Sequence, residues 1–399
     1  MSDKVYEWAH LPKELLEMIG KRLDSRIDVY RFRAVCSSWR SLVPPSYRQS
    51  PRTILKLPLP ILADAYFSPV TICRVELADD DNPSSSLSSS PASSTTWLAK
   101  VEESTLGEMQ LLVPLSNHQL RQSPGKLLKR VKKLDLLRFR LAELAKAYSL
   151  KLARGVSVFR INKVVLFPNF TLSDVNDYRL LAIYHEGKLG YWRSGDERWT
   201  LVDDKNFHYD DIIVYKGQFY VVDRCGTVYW INSSLNLIPY SPPLYGCGNQ
   251  KNLVESCGDL YVVDRHLDRD PRTWHGDNHE HVHPNMNDEM YARFRIHRGC
   301  PAQTIDIKVY KLDEEWGKWV DVMSLGDQVF VLGNECCFSA SAREFAGCEG
   351  NCIYFTDPDD QDTRGEISGR DTRVFKLSNR RIGKTVELPP RYFRIFWPQ

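Results

Sequence analysis

The feature that most restricts how this chain can fold is a motif that returns along its second half: an apolar strand, a turn with glycine, a second apolar strand and often an aspartate. It reads DIIVYKGQFYVVDR around Gly217 and Asp223, LVESCGDLYVVDR around Gly258 and Asp264, and VDVMSLGDQVFVLG around Gly326. AIYHEGKLGYWRSGDERWTLV (182–202) is an earlier version, and GNCIYFTD, with Gly350 and Asp357, supplies a late strand. Glycine accepts the positive φ of a tight hairpin turn, and runs of Val, Ile, Tyr and Phe suit strands covered on both faces. Third strands follow at 227–231 (TVYWI), 306–312 (DIKVYKL) and 373–377 (RVFKL).

Similar antiparallel units bury their faces by stacking about an axis, so the motif predicts a mainly β chain whose body is a β-propeller of about six or seven blades. The spacing is uneven: Gly217 to Gly258 is 41 residues and Gly258 to Gly326 is 68, with much of the excess in a His-rich polar insertion at 265–304. A two-sheet sandwich is the rival, and roughly 300 residues of hairpins would make an unusually large one. With 10 Trp, 19 Tyr and 16 Phe in 399 residues, many in short β-like runs, the composition favours the all-β body. No apolar run approaches bilayer length and MSDKVYEWAH lacks an apolar signal core, so the expectation is a soluble intracellular protein with no membrane partner. The ten cysteines follow no regular framework and read as reduced thiols.

The N-terminal stretch Leu11–Val43 has a different period. Leu15, Ile19 and Leu23 recur every fourth residue with Leu16 beside them, and Pro12 suits the first turn of the helix this predicts. Phe32, Val35, Cys36 and Trp39 follow the i, i+3, i+4, i+7 template of a second helix, extended by Leu42 and Val43, with Asp28 as its expected N-cap. Val43-Pro44-Pro45 stops it. Periodicity alone allows one unbroken second helix, and the stretch is too short to bury a stable core alone. Residues 1–52 carry net +4 and the remainder −2, so a basic docking module would suit an acidic partner.

The order of residues is more specific than the period. Leu11-Pro12, the Leu15/Leu16/Ile19/Leu23 run, Arg31-Phe32-Arg33 and the segment from Val35-Cys36 through Trp39-Arg40 to Leu42 together resemble an F-box. That resemblance implies three helices, with a break near Cys36 and Ser37 or Ser38 capping the third. It also implies docking to a Skp-type adaptor and through it to a cullin, with Leu11, Pro12, Leu15, Leu16, Ile19, Leu23, Val35, Cys36, Trp39 and Leu42 as core or interface. The segment between Leu23 and Phe32 is a residue longer than in many F-boxes. KVEES (100–104), KNLVESCGDLYVVDR (251–265), the run from Val309 to Asp360 and CSSWRSLVPPS (36–46) are similar to the KIB-type family of plant F-box proteins. This second resemblance implies a kelch-reminiscent substrate-binding propeller; joined to the F-box it makes the chain the expected ubiquitin-ligase subunit that recognises a protein target, and nucleus and cytoplasm are its expected location. The domains expected are an F-box at 1–50, a connector with one strand (65–78) and a Ser-rich flexible loop at 51–96, and the propeller at 97–399.

Two further segments carry expectations of their own. Leu134, Leu137, Leu141, Leu144 and Tyr148 match helical spacing, predicting an amphipathic helix within 126–148. Upstream of it, Lys129, Arg130, Lys132 and Lys133 form a candidate nuclear-import signal; no RNA-stacking motif accompanies them, which argues against nucleic acid. His275, His279, His281 and His283 are the densest set of metal-ligand types, but they lie in a polar insertion, and no metal or other cofactor is expected. No nucleophile elbow, Walker loop, kinase set or HExxH helix is present, so a non-catalytic adaptor is favoured over a propeller enzyme or a non-ligase propeller scaffold.

Overall fold

In the computed structural model of the chain the described residues are 11–23, 26–44, 54–56, 64–77, 96–103, 109–112, 114–115, 139–152, 161–168, 178–184, 187–203, 208–246, 248–268, 302–345, 348–357 and 372–384. The N-terminal stretch forms three helices, α1 (Lys13–Lys21), α2 (Arg26–Val35) and α3 (Ser37–Leu42). Pro12 stands just before α1, where its carbonyl accepts from the N–H groups of Leu15 and Leu16, both at 3.1 Å. The break at Cys36 is present. Cys36, extended at φ −161°, is itself the cap position, and Ser37 is the first residue of α3. Asp28, expected as a cap, lies in the first turn of α2, where it pairs with Arg31 at 3.0 Å and complements the positive end of the helix dipole.

Twenty-two strands, among the described residues, lie in four hydrogen-bonded sheets. In the first, β2 (Asp64–Leu77) pairs with β1 (Ile54–Lys56), with β3 (Thr96–Glu103) and with β5 (Phe139–Leu152), and β3 pairs with β4 (Met109–Leu112). A second meander, β6 (Ile161–Phe167), β7 (Arg179–Tyr184), β8 (Lys188–Arg193) and β9 (Thr200–Leu201), joins β5 through the single pair Tyr148–Val164. The second sheet is β10 (Tyr209–Tyr215), β11 (Gln218–Asp223), β12 (Val228–Ile231) and β13 (Leu237–Pro239). The third is β14 (Gln250–Ser256), β15 (Asp259–Leu267), β16 (Thr304–Asp313) and β17 (Lys318–Asp321). The fourth contains β18 (Gln328–Leu332), β19 (Cys337–Ser341), β20 (Cys352–Phe355), β21 (Arg373–Lys376) and β22 (Arg381–Lys384) in the order 19-18-20-21-22. These sheets do not confirm the expected count of about six or seven blades.

The hairpins at Lys216-Gly217 and Cys257-Gly258 are tight turns with positive φ at both residues, 47° and 75° in one and 52° and 84° in the other. Three expectations need correction. Gly326 does not turn a hairpin: β17 closes the third sheet, and β18 opens the fourth by pairing with β19 and, in parallel, with β20. The strand at 65–78 is no isolated piece of a connector, since β2 is paired to three neighbours, β1 at 54–56 among them, so strands of the first sheet lie well before 97. The described part of the expected helix, 139–148, lies in β5. A register shift there sets Cys73 opposite Glu143 and Ile72 opposite Ala145, leaving Leu144 as an extra residue. Leu141 packs on the face of Cys73 and Val75 and Leu144 on the opposite face with Ala147, so the spacing of three that imitates a helix joins apolar residues on the two sides of one strand, and the bulge adds Ala145 to the side of Leu144.

Successive sheets pack face to face in a ring. Leu181 and Ile183 of the first sheet meet Ile212 and Val221 of the second; Tyr215 and Val222 of the second meet Leu253 and Val262 of the third. Val254 and Val263 of the third meet Phe330 and Ile353 of the fourth, and Val329 and Val331 of the fourth meet Val70, Ile72 and Leu98 of the first. β10 lies beside β6 and β14, and β14 beside β19, as the inner strands of propeller blades do. Each seam also carries a polar tie. Lys163 pairs with Asp211, and the Leu253 N–H donates to Asp211 Oδ2 at 2.8 Å. Arg265 Nη2 donates to the Thr356 carbonyl at 3.0 Å. Lys100 pairs with Glu335 at 2.8 Å, and Arg74 pairs with Glu344.

Candidate partner-docking site

The helical module has a small core of Leu16, Val29, Phe32 and Val43, against which Leu11, Leu23, Trp39 and Leu42 are partly buried. Phe32 and Trp39 bring their ring centroids to 4.6 Å. Gly20 belongs to this inner face: a Cβ there would stand 2.8 Å from Val43 Cγ2, so only glycine lets α1 approach so closely. Leu16 and Gly20 therefore share one side of α1, and Leu23, just past its end, packs on the same core. The other apolar side chains of that helix point away, with Leu15 46%, Met18 53% and Ile19 37% exposed, and Val35 at the end of α2 is 49% exposed.

The ten docking residues named from sequence thus divide. Leu16 is core; Leu11, Leu23, Trp39 and Leu42 pack on the core; Pro12, Leu15, Ile19 and Val35 are exposed, and Cys36 is half-buried. Met18 was missed, although its spacing of three from Leu15 places it beside Leu15 and Ile19 on the helix surface. Large apolar side chains left exposed together on so small a module mark a surface to be covered.

Two arginines hold the tip that carries Val35 and Cys36. Arg33 Nη1 donates to the carbonyls of Arg40, at 2.9 Å, and of Val43, while Arg40 Nε returns a bond to the Arg33 carbonyl at 3.1 Å. α2 and α3 are thereby clasped across the break. Within it, the hydroxyl of Ser38 beside the sulfur at 3.0 Å and the backbone N–H of Trp39 lower the pKa of the Cys36 thiol.

α2 also touches the β body. Ile27 is buried among Cys73, Val75, Trp97, Ala99, Val101 and Leu141 of β2, β3 and β5, and Arg31 Nη2 donates to the Leu141 carbonyl.

In the β body, charged groups gather near the starts of the inner strands. Burial of the Lys163 ammonium opposes its charge, but Asp211 outweighs this and the pKa is held up at about 12. Burial pulls Arg265 down to about 10, against the attraction of Asp357. Lys251 and Asp264, both fully buried, pair at 2.7 Å. Of the tryptophans at 192, 199, 230, 316 and 319, only Trp192 is buried, and Trp316 is 71% exposed. Among the described residues no group of three or more His, Cys, Asp or Glu is placed to hold a metal ion, and no helix is long and apolar enough to cross a membrane. The histidines at 275–283, Trp274, the basic cluster Lys129, Arg130, Lys132 and Lys133 and the Ser-rich segment before Thr96 lie outside the described residues.

Comparison with known proteins settles what these two parts are. Residues 8–49 match the F-box-like family, and residues 66–376 match the KIB1-4 beta-propeller family. The chain belongs to the F-box proteins with a KIB1-4 β-propeller. F-box protein SKIP23 of Arabidopsis thaliana is 33% identical over 411 residues, covering 98% of this chain and 94% of that one. F-box protein At2g17690 of the same plant is 30% identical over 451 residues, covering 98% and 99%. F-box proteins act in general as non-catalytic adaptors that bind Skp-type partners.

Proposed function

We propose that this F-box protein is the substrate-recognition subunit of an SCF-type ubiquitin ligase. The observation that carries the reading is the exposed apolar run Leu15, Met18 and Ile19 on α1, with Val35 exposed at the end of α2, on a folded F-box whose core is formed by other residues. In this reading those side chains, with Pro12 and Cys36, enter a Skp-type adaptor, and the adaptor connects the chain to a cullin. Leu11, Leu16, Leu23, Trp39 and Leu42 support that surface from within. The propeller holds the protein to be modified and raises the effective concentration of its lysines near the transfer machinery, while the bond-making groups belong to other subunits.

The deciding experiment is co-purification of the full chain with a Skp-type adaptor. A stable complex that Leu15→Asp with Ile19→Asp abolishes, while the thermal transition of the propeller is unchanged, supports the reading. A complex that tolerates the double change would overturn the assigned face, and no complex at all would leave a propeller scaffold outside the ligase. Residence in nucleus and cytoplasm is the accompanying proposal, with Lys129, Arg130, Lys132 and Lys133 as the import signal; a fluorescent fusion that enters the nucleus equally well without that cluster removes it.

A further inference from the structure

Among the described residues, α2 seats the F-box on the propeller. Along β2 and β3 successive side chains alternate between faces: Val70, Ile72 and Leu98 turn toward the fourth sheet, and Cys73, Val75, Trp97, Ala99 and Val101 turn the other way. The second of these apolar faces receives Ile27 of α2, which is 9% exposed. Four residues on, one helical turn away, Arg31 spans both modules: Nη1 donates to Asp28 at 3.0 Å within α2, and Nη2 donates to the carbonyl of Leu141 in β5. A guanidinium can serve both acceptors at once because its donors form a rigid fork, which a lysine lacks.

The same helix contributes Val29 and Phe32 to the F-box core and ends at Val35 on the exposed docking surface. One continuous element therefore links the propeller, the F-box core and the docking face, and a rigid helix transmits orientation as a flexible tether cannot. We propose that Ile27 and Arg31 are positioning residues that lock the F-box onto the first meander and fix the distance and angle between the docking face and whatever the propeller holds. This rests on the proposed function for its purpose, but not for its geometry. Contacts between modules of this size permit relative motion unless specific groups oppose it. Ile27 fills an apolar socket and Arg31 fixes rotation about it.

The test is a distance measurement on the full chain. Donor and acceptor dyes are placed through unnatural amino acids at Glu17, on the exposed side of α1, and at Arg198, exposed beyond β8. Single-molecule transfer efficiencies are then compared with and without a Skp-type adaptor. The unmodified chain should give one narrow distribution, and Ile27→Val should reproduce it. Arg31→Ala, which leaves both hydrophobic cores intact, should widen the distribution, and Ile27→Asp combined with Arg31→Ala should make it at least about twofold broader, the expected result once a small contact between modules opens. Far-ultraviolet dichroism and the propeller's thermal transition check that each variant is folded. Variant distributions that coincide with that of the unmodified chain, or a broad distribution in the unmodified chain itself, would overturn the proposal. Failure of the adaptor to bind would defeat the ligase reading while leaving this measurement valid without it.

Discussion

The carboxylate of Asp211, on β10, holds the buried ammonium of Lys163, on β6, across the seam between two meanders. Its second oxygen takes the N–H of Leu253 from β14, and the thiol of Cys337, on β19, lies 3.7 Å from it. One side chain thus ties the inner strands of four meanders. Asp211→Asn should cost about 3–5 kcal/mol, because it strands a charge that has no water to turn to. Lys163→Met in the same chain should restore part of that loss, since an apolar side chain needs no counter-ion. Urea unfolding of the single and double variants measures both; equal midpoints for Asp211→Asn and the unmodified chain would refute the tie.

The same pair sets a pH response. The pKa of Lys163 is raised in the folded chain to about 12, above the ordinary lysine value, so its contribution is fully present below about pH 10.5 and is lost as pH rises through about 12. The step is on the order of 2 kcal/mol. Alkaline unfolding followed by dichroism should show this loss in the unmodified chain and a smaller one in Asp211→Asn, whose Lys163 no longer has its partner.

The two sides of α1 should respond in opposite ways. Leu16→Ala empties a core position and should destabilise the F-box by about 2–5 kcal/mol. Leu15→Asp and Ile19→Asp alter exposed side chains and should change its stability by no more than about 0.5 kcal/mol. Hydrogen exchange of α2 and α3 amides reports the first effect, adaptor co-elution the second. Loss of both properties together in Ile19→Asp would show that the exposed face is structural.

Cys36 offers a footprint of the docked state. Its lowered pKa favours the reactive thiolate, whereas burial pushes Cys73 and Cys352 up to about 12 and Cys336 to about 11. Brief alkylation at neutral pH, read by mass spectrometry at each site, should label Cys36 well before those three. A bound adaptor should slow that labelling at Cys36 while leaving exposed Cys225 unaffected. Unchanged labelling at Cys36 would place the interface elsewhere.

At Cys257 the chain uses a residue poorly suited to its backbone. Positive φ at both turn positions favours asparagine followed by glycine, so Cys257→Asn, ahead of Gly258, should raise stability by about 0.5–1 kcal/mol. A thermal midpoint that falls instead would mean the thiol has a packing role its exposure does not suggest.

Local rules made some of this readable in the sequence and long-range pairing hid the rest. Gly217 and Gly258 announce hairpins because the turn's demand falls on adjacent residues. Gly326 sits in a similar string, yet its two flanking strands enter different sheets, and nothing within ten residues distinguishes the cases. β5 imitates a helix because both of its faces are apolar, with Leu141 on one and Leu144 on the other, three residues apart. The break at Cys36 came from resemblance to the F-box order; helical spacing alone runs through it. In the docking site the apolar stripe was legible, but its division into Leu16 inside and Leu15 outside needed the positions of Val29, Phe32 and Val43. Lys163 and Asp211 are 48 residues apart, and no spacing rule joins them.

The seam between the first and last sheets sets a timetable for making this protein. Val70, Ile72 and Leu98 wait for Val329 and Val331, and Lys100 waits for Glu335. At ribosomal rates of about 5–20 residues per second, those partners emerge roughly ten to fifty seconds later. During that interval a two-sided apolar sheet has one face capped by its own F-box helix and the other bare. Nascent chains stalled before Gln328 should therefore bind holdase chaperones, and chains released after Lys384 should not. Equal chaperone capture at both lengths would show that the early sheet is shielded by other means.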